Sequence, residues 1–187
     1  VAVDVSNDII KFFNTGTVTN PVNMPSIPKE KLAQVEPFFA LAEKLGKFLV
    51  QVTGEAVTEL NVSYAGEVAN YDVRPLTASA IKGLFSTKQG THVNDVNARY
   101  LAEQIGIKIN EHKTTTAKGF TSLITVEVKT ENEVHTIAGT LLNGLGARIV
   151  KVEGFGVDLK PEGNILYVKN TDKPGAIGRL ATKLAEK

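Results

Sequence analysis

The spacing of apolar residues changes at Gly106, and that change sets the fold class. Before it, apolar residues recur at helical intervals; after it, they alternate with polar ones along short runs. Residues 1–13 place Val1, Val5, Ile9 and Phe12 or Phe13 on one face, with Asn14 to Gly16 as the stop. Residues 29–53 carry a broad apolar face that includes Leu32, Val35, Phe38, Leu41, Leu45 and Leu49, and Pro37 predicts a kink or a division into a short and a long helix. Residues 56–64 read as a strand. Residues 72–86 and 94–105 read as helices, the first with Pro75 in its opening turn. Past Gly106, residues 107–112, 122–129, 134–142, 148–153 and 164–169 read as strands, and a last helix starts near Gly175. Helices first and a mainly antiparallel sheet afterwards make this an α+β chain.

The 187 residues are 42% hydrophobic, enough to bury a core, and the net charge of +1 provides no global field toward nucleic acid or an anionic membrane. Anion binding therefore has to come from local clusters. The absence of cysteine excludes disulfides, thiolate nucleophiles and cysteine-ligated metal sites. No apolar run approaches the roughly 18 residues of a membrane span, and Asp4, Ser6, Asn7 and Asp8 do not form a signal peptide. A cytoplasmic protein with no nucleic-acid or membrane partner is expected.

Few motifs carry chemistry. The sequence NGLGARI, with Gly144 and Gly146, lacks the third glycine and the strand–turn–helix setting of a dinucleotide fingerprint, and reads as a glycine-rich hairpin. His92, His112 and His135 are too far apart in sequence for a local metal motif and read as isolated surface or strand histidines. No serine sits in a G-x-S-x-G elbow. The segment EHKTTTAKG, residues 111–119, gathers His112, Lys113, Thr114, Thr115, Thr116 and Lys118 beside Gly119. That is an inventory for holding a phosphate or carboxylate, and equally that of a solvated polar loop. At residues 170–178 a strand gives way to a helix through NTDKPG. Thr171 or Asp172 is placed to cap that helix, and its opening N–H groups could hold a small carboxylate.

Taken in order, these landmarks resemble the long-form D-3-phosphoglycerate dehydrogenase family. The resemblance is carried by NTGTVTNPVNMP at 14–25, ASAIKGLFS at 78–86, HVNDVNARYLAEQIGI at 92–107, IAGTLL at 137–142 and the D-x-P-G-x-I-G pattern at Asp172 to Gly178. It implies residues 1–25 as the last helix and linker of a dehydrogenase part. Residues 26–160 would be an intervening, allosteric substrate-binding domain, and 161–187 the first strand and helix of a ferredoxin-like ACT domain. The parent would oxidise 3-phospho-D-glycerate to 3-phosphohydroxypyruvate with NAD, at the entry to L-serine biosynthesis. Its fingerprint and catalytic residues would lie before Val1, leaving this part without catalytic, cofactor-binding or metal residues.

The resemblance further implies an anion or effector site at Lys113, Thr114, Thr115 and Lys118. Members with such a site add an arginine after the lysine; none lies between Lys113 and Arg148, which leaves Lys118 as the substitute. Asn170 and Asp172 occupy positions that face L-serine in feedback-inhibited members. L-serine, phosphate or 3-phosphoglycerate are the expected effectors and a homo-oligomer the expected assembly, with the tract 15–28 as the natural hinge. The rival readings are the β part of an iron–sulfur L-serine dehydratase, which shares the two regulatory domains, and a free-standing amino-acid-binding module.

Overall fold

The computed structural model describes residues 2–15, 29–87, 92–171 and 173–186. The proline-rich tract expected as a hinge, apart from Thr15, lies outside the described residues, as does Asp172. Helix α1 (Ala2–Thr15) precedes that tract and α2 (Lys29–Val52) follows it. Next come β1 (Glu59–Gly66), a 3-10 turn at Glu67–Asn70, α3 (Arg74–Leu84), α4 (Ala98–Gln104) and β2 (Lys108–Thr114). Then β3 (Ser122–Lys129), β4 (Val134–Leu142), β5 (Gly146–Val152) and β6 (Phe155–Leu159) form a meander, and α5 (Ala176–Ala185) closes the described chain.

One six-stranded sheet in the order β2-β1-β3-β4-β5-β6 carries the fold. Its single parallel pair, β1 with β2, is bridged by α3 and α4, because parallel neighbours need a long crossover. The other four pairs are antiparallel. Alternation sends Leu60, Val62 and Tyr64 of β1 and Ile124, Val126 and Val128 of β3 to one face. Helix α2 covers that face with Val35, Phe38, Leu41, Leu45 and Leu49, spaced three and four apart and all buried. Tyr64, fully buried, shares a 2.8 Å hydrogen bond with the Thr77 hydroxyl, and burial pushes its phenol far above the usual range.

The helix layer depends on glycine. A Cβ on Gly46 would lie 2.0 Å from the Ala80 carbonyl oxygen, and one on Gly83 would lie 2.0 Å from that of Glu43. The backbones of α2 and α3 therefore touch where they cross. On β4, a Cβ on Gly139 would lie 2.8 Å from Leu41 Cδ1, so this glycine lets α2 sit low on the sheet.

The glycine-rich hairpin is confirmed: Gly144 and Gly146 lie in the β4–β5 turn with φ of 74° and 71°. Several expectations are corrected. Pro37 does not divide α2; it lies on the exposed side, where water can serve the carbonyl left without a donor. The strand expected at 56–64 forms at 59–66. The helix expected at 94–105 shrinks to 98–104, because the Asn94 carboxamide oxygen accepts the N–H groups of Val96 and Asn97 and makes a turn instead.

Strand β6 was not anticipated. It is turned back by Glu153 and Gly154, both at positive φ (51° and 83°), in a primed hairpin without the usual Asn-Gly. The strand expected at 164–169 does not form, since no strand lies beside it among the described residues to take its backbone groups. Tyr167 packs edge-on against Phe48 of α2 instead, with ring centroids 5.8 Å apart. Nor does Thr171 cap α5: its cap is Gly175, in the left-handed conformation (φ 80°) with no side-chain cap bond, which leaves Thr171 too far ahead of the first helical N–H groups.

Candidate functional site

Lys113 and Thr114 close β2, and neighbouring positions on a strand face opposite ways. The register pairs Lys113 with Tyr64, so Lys113 lies on the helix side. There its Nζ donates a 2.6 Å hydrogen bond to the Tyr71 carbonyl oxygen. Thr114 lies on the uncovered side, and its hydroxyl accepts the Thr116 N–H at 3.3 Å. Thr115 and Lys118 are exposed in the β2–β3 loop, where Lys118 adopts φ 44° ahead of Gly119 at φ 96°. The four candidate residues thus line one edge of the sheet and the loop beyond it, but Lys113 and Thr114 do not face a common point.

Arginines that sequence reasoning sought after Lys113 arrive from helices before it. Arg74, at the start of α3, grips Asp72 through Nε and Nη2, and that guanidinium, with Lys113 nearby, holds the Asp72 carboxyl below its ordinary range. Arg99 of α4 bonds to Glu111 of β2. The β2 edge is therefore cationic in composition, with both guanidinium groups already matched to carboxylates. Sequence spacing could not reveal this, because the β1–β2 crossover brings residues 74, 99 and 113 together.

Asn170, the described member of the pair expected to face serine, is exposed just before α5. Helix α5 buries none of its residues.

Another cleft, of about 1220 Å³, lies between the second half of α2, the ends of β4 and β5, and residues 161–169. His135 forms part of its wall. Its pairing with Val128 turns it toward the helices, so it is a strand histidine as expected but a buried one. Its Nε2 lies 3.0 Å from Glu133 Oε2, and its Nδ1 lies 3.4 Å from Glu153 Oε1. Glu153 Oε1 also accepts the Thr136 N–H at 3.0 Å. Nδ1 is shut off from solvent and has no hydrogen-bond partner. Lys44 and Lys47 of α2 line the same cleft. Glu133 and His135 are two residues apart, but Glu153 joins them only through the β4–β5 pairing, so sequence reasoning missed this site. No group of histidines and carboxylates among the described residues is arranged to hold a metal ion, and no described helix is long and apolar enough to cross a membrane.

Residues 34–153 match the D-3-phosphoglycerate dehydrogenase intervening domain. Over its whole length the chain is 28% identical to D-3-phosphoglycerate dehydrogenase of Bacillus subtilis, covering 35% of that protein. It is 32% identical to the Methanocaldococcus jannaschii enzyme of that name, over 97% of this chain and 34% of the relative. It is 30% identical to D-3-phosphoglycerate dehydrogenase 3, chloroplastic, of Arabidopsis thaliana, over 100% of this chain and 34% of the relative. The chain spans about a third of the length of these curated relatives. The match spans the α+β body with its β1–β2 crossover and the β3–β4–β5 meander, and the chain belongs to the D-3-phosphoglycerate dehydrogenase family.

Proposed function

We propose that the chain is the regulatory, non-catalytic portion of a cytoplasmic, oligomeric D-3-phosphoglycerate dehydrogenase, an enzyme that oxidises 3-phospho-D-glycerate with NAD on the way to L-serine. The observation that carries this reading is the match of residues 34–153 to the family's intervening domain within a chain about a third as long as its relatives. The names of those relatives favour this reading over the serine dehydratase. In it, residues 161–187 begin an ACT domain that takes L-serine with Asn170 and Asp172, and α1 belongs to the dehydrogenase part. Effector binding acts on the parent by favouring one arrangement of subunits over another.

The anion or effector site is assigned to the β2 edge and the loop after it, with Lys113, Thr114, Thr115 and Lys118. Arg74 and Arg99 add positive charge there, and their pairing with carboxylates keeps the expected affinity for phosphate or 3-phosphoglycerate weak. Calorimetric titration with each anion tests this. Saturable binding is expected in the unaltered chain, and it should be lost in Lys113→Ala/Lys118→Ala at unchanged melting temperature. An affinity that survives the double substitution would discard the site. A chain that formed NADH from NAD and 3-phosphoglycerate would contradict the non-catalytic reading.

A further inference from the structure

The cleft beside His135 sets lysines of one element against glutamates of others, with apolar side chains beside them. One wall is α2, where Lys44 and Lys47, three residues apart, share a face. Neither closes an ion pair among the described residues, although the Lys160 bond and, further off, the Lys44 charge hold the Glu162 carboxyl low beside them, and Glu133 and Glu153 line the same cleft. The opposite wall holds those two glutamates around His135, whose side chain is 9% exposed. Phe48, Ile165 and Leu166 supply apolar surface to the cleft.

The carboxylates repel a simple anion and the lysines repel a simple cation, so neither alone satisfies the cleft. A metal ion finds no ligand group there, as none exists among the described residues. The buried, unpartnered Nδ1 of His135 marks the anionic wall as incomplete in hydrogen bonding. We propose that this cleft binds a small zwitterion with an apolar body, an α-amino acid whose side chain is apolar. Its carboxylate meets Lys44 and Lys47, and its ammonium meets Glu133 and Glu153. The side chain lies against Phe48 and Ile165. His135 acts as a positioning residue that holds Glu133 and Glu153 on the same side. The cleft volume of about 1220 Å³ leaves room for such a side chain, being above the roughly 300–1,000 Å³ of ordinary small-molecule pockets. The site is separate from the β2 edge, and although Lys169 of its lining adjoins Asn170, its existence does not depend on the effectors assigned to either place.

The test is a nitrogen-15 NMR titration of the 187-residue chain with L-leucine, following the amides of residues 44–48, 133–135 and 153 and the His135 ring nitrogens. Two half-ligands accompany it: 4-methylpentanoate, which lacks the ammonium, and 3-methylbutylamine, which lacks the carboxylate. Saturable shifts confined to the cleft are expected with leucine, with both half-ligands binding at least about tenfold more weakly, the equivalent of about 1.4 kcal/mol. Lys44→Ala/Lys47→Ala should weaken leucine binding by about tenfold or more. Glu153→Gln, whose amide oxygen can keep the Thr136 bond, should weaken leucine while 4-methylpentanoate, relieved of a repelling carboxylate, binds no more weakly. The proposal is overturned if leucine gives no saturable shift in the cleft. It is equally overturned if 4-methylpentanoate binds as tightly as leucine, or if the double lysine variant binds leucine as the parent chain does.

Discussion

Helices α2 and α5 both carry an apolar stripe, yet α2 buries Val35, Leu41, Ala42 and Leu45 completely while α5 buries nothing and leaves Ile177 78% exposed. Helix α1 resembles α5, with Val3, Val5 and Ile9 all more than half exposed. The contrast shows that periodicity encodes a face but not the surface that meets it. In α2 the partner is specified by a second set of residues: the glycines that let α3 and β4 approach, and the alternating strands beneath. Around α5 no such set exists among the described residues, and its expected companion strand at 164–169 lacks a ladder for the same reason. Stability in this molecule therefore belongs to residues 35–159, and the flanks add little.

Four perturbations, ranked by expected size, test that division. Leu45→Ala empties a fully buried position between α2 and the sheet and should cost about 2–5 kcal/mol in urea denaturation. A loss under about 1 kcal/mol would mean that α2 is not the lid of the core. Gly46→Ala puts a methyl where the Ala80 carbonyl oxygen already sits. Overpacking of about 1–3 kcal/mol should outweigh the roughly 1 kcal/mol gained in helix propensity. A more stable variant would show that the helices do not touch. Tyr64→Phe removes the hydroxyl bonded to Thr77 and should cost about 1 kcal/mol, because Thr77 keeps its bond to the Val73 carbonyl. By contrast, Leu184→Ala in α5 should change stability by less than about 0.5 kcal/mol. A large loss there would erase the distinction between body and flank.

Acid should act on the body as well. Asp72, held low by Arg74, and Glu59, held low by Lys129, contribute stability that is complete above their unfolded values near pH 4. That contribution is lost as pH falls through their lower folded values. The urea midpoint should therefore drop below about pH 4, and Asp72→Asn should make the drop smaller. Lys82 behaves oppositely. Burial opposes its charge, but bonds to Glu43 and Asp95 outweigh that and raise its pKa, so its contribution fades only as pH rises above about 10.

Much of the body was legible in the sequence: β3 alternates cleanly along its whole length, and the bounds of β3 and β4 emerge at 122–129 and 134–142 as read. Helix α3 was legible through Pro75 in its first turn. Strand β6 was hidden because Gly156 interrupts FGVDL and its turn uses Glu-Gly. The candidate site was legible only as an inventory. Lys113 and Thr114 are neighbours in sequence but lie on opposite faces of the sheet, while Arg74 and Arg99 reach the same edge through the crossover. The Glu133–His135–Glu153 cluster depends on a strand register that no local spacing announces.

Native-state hydrogen exchange on the 187-residue chain tests the division most directly. The account predicts that amides of α2, α3, β1, β3 and β4 exchange only through global unfolding, while those of α1 and α5 exchange with little protection. Protection of α5 equal to that of α3 would contradict it, by showing that the exposed stripe is held as firmly as the buried one.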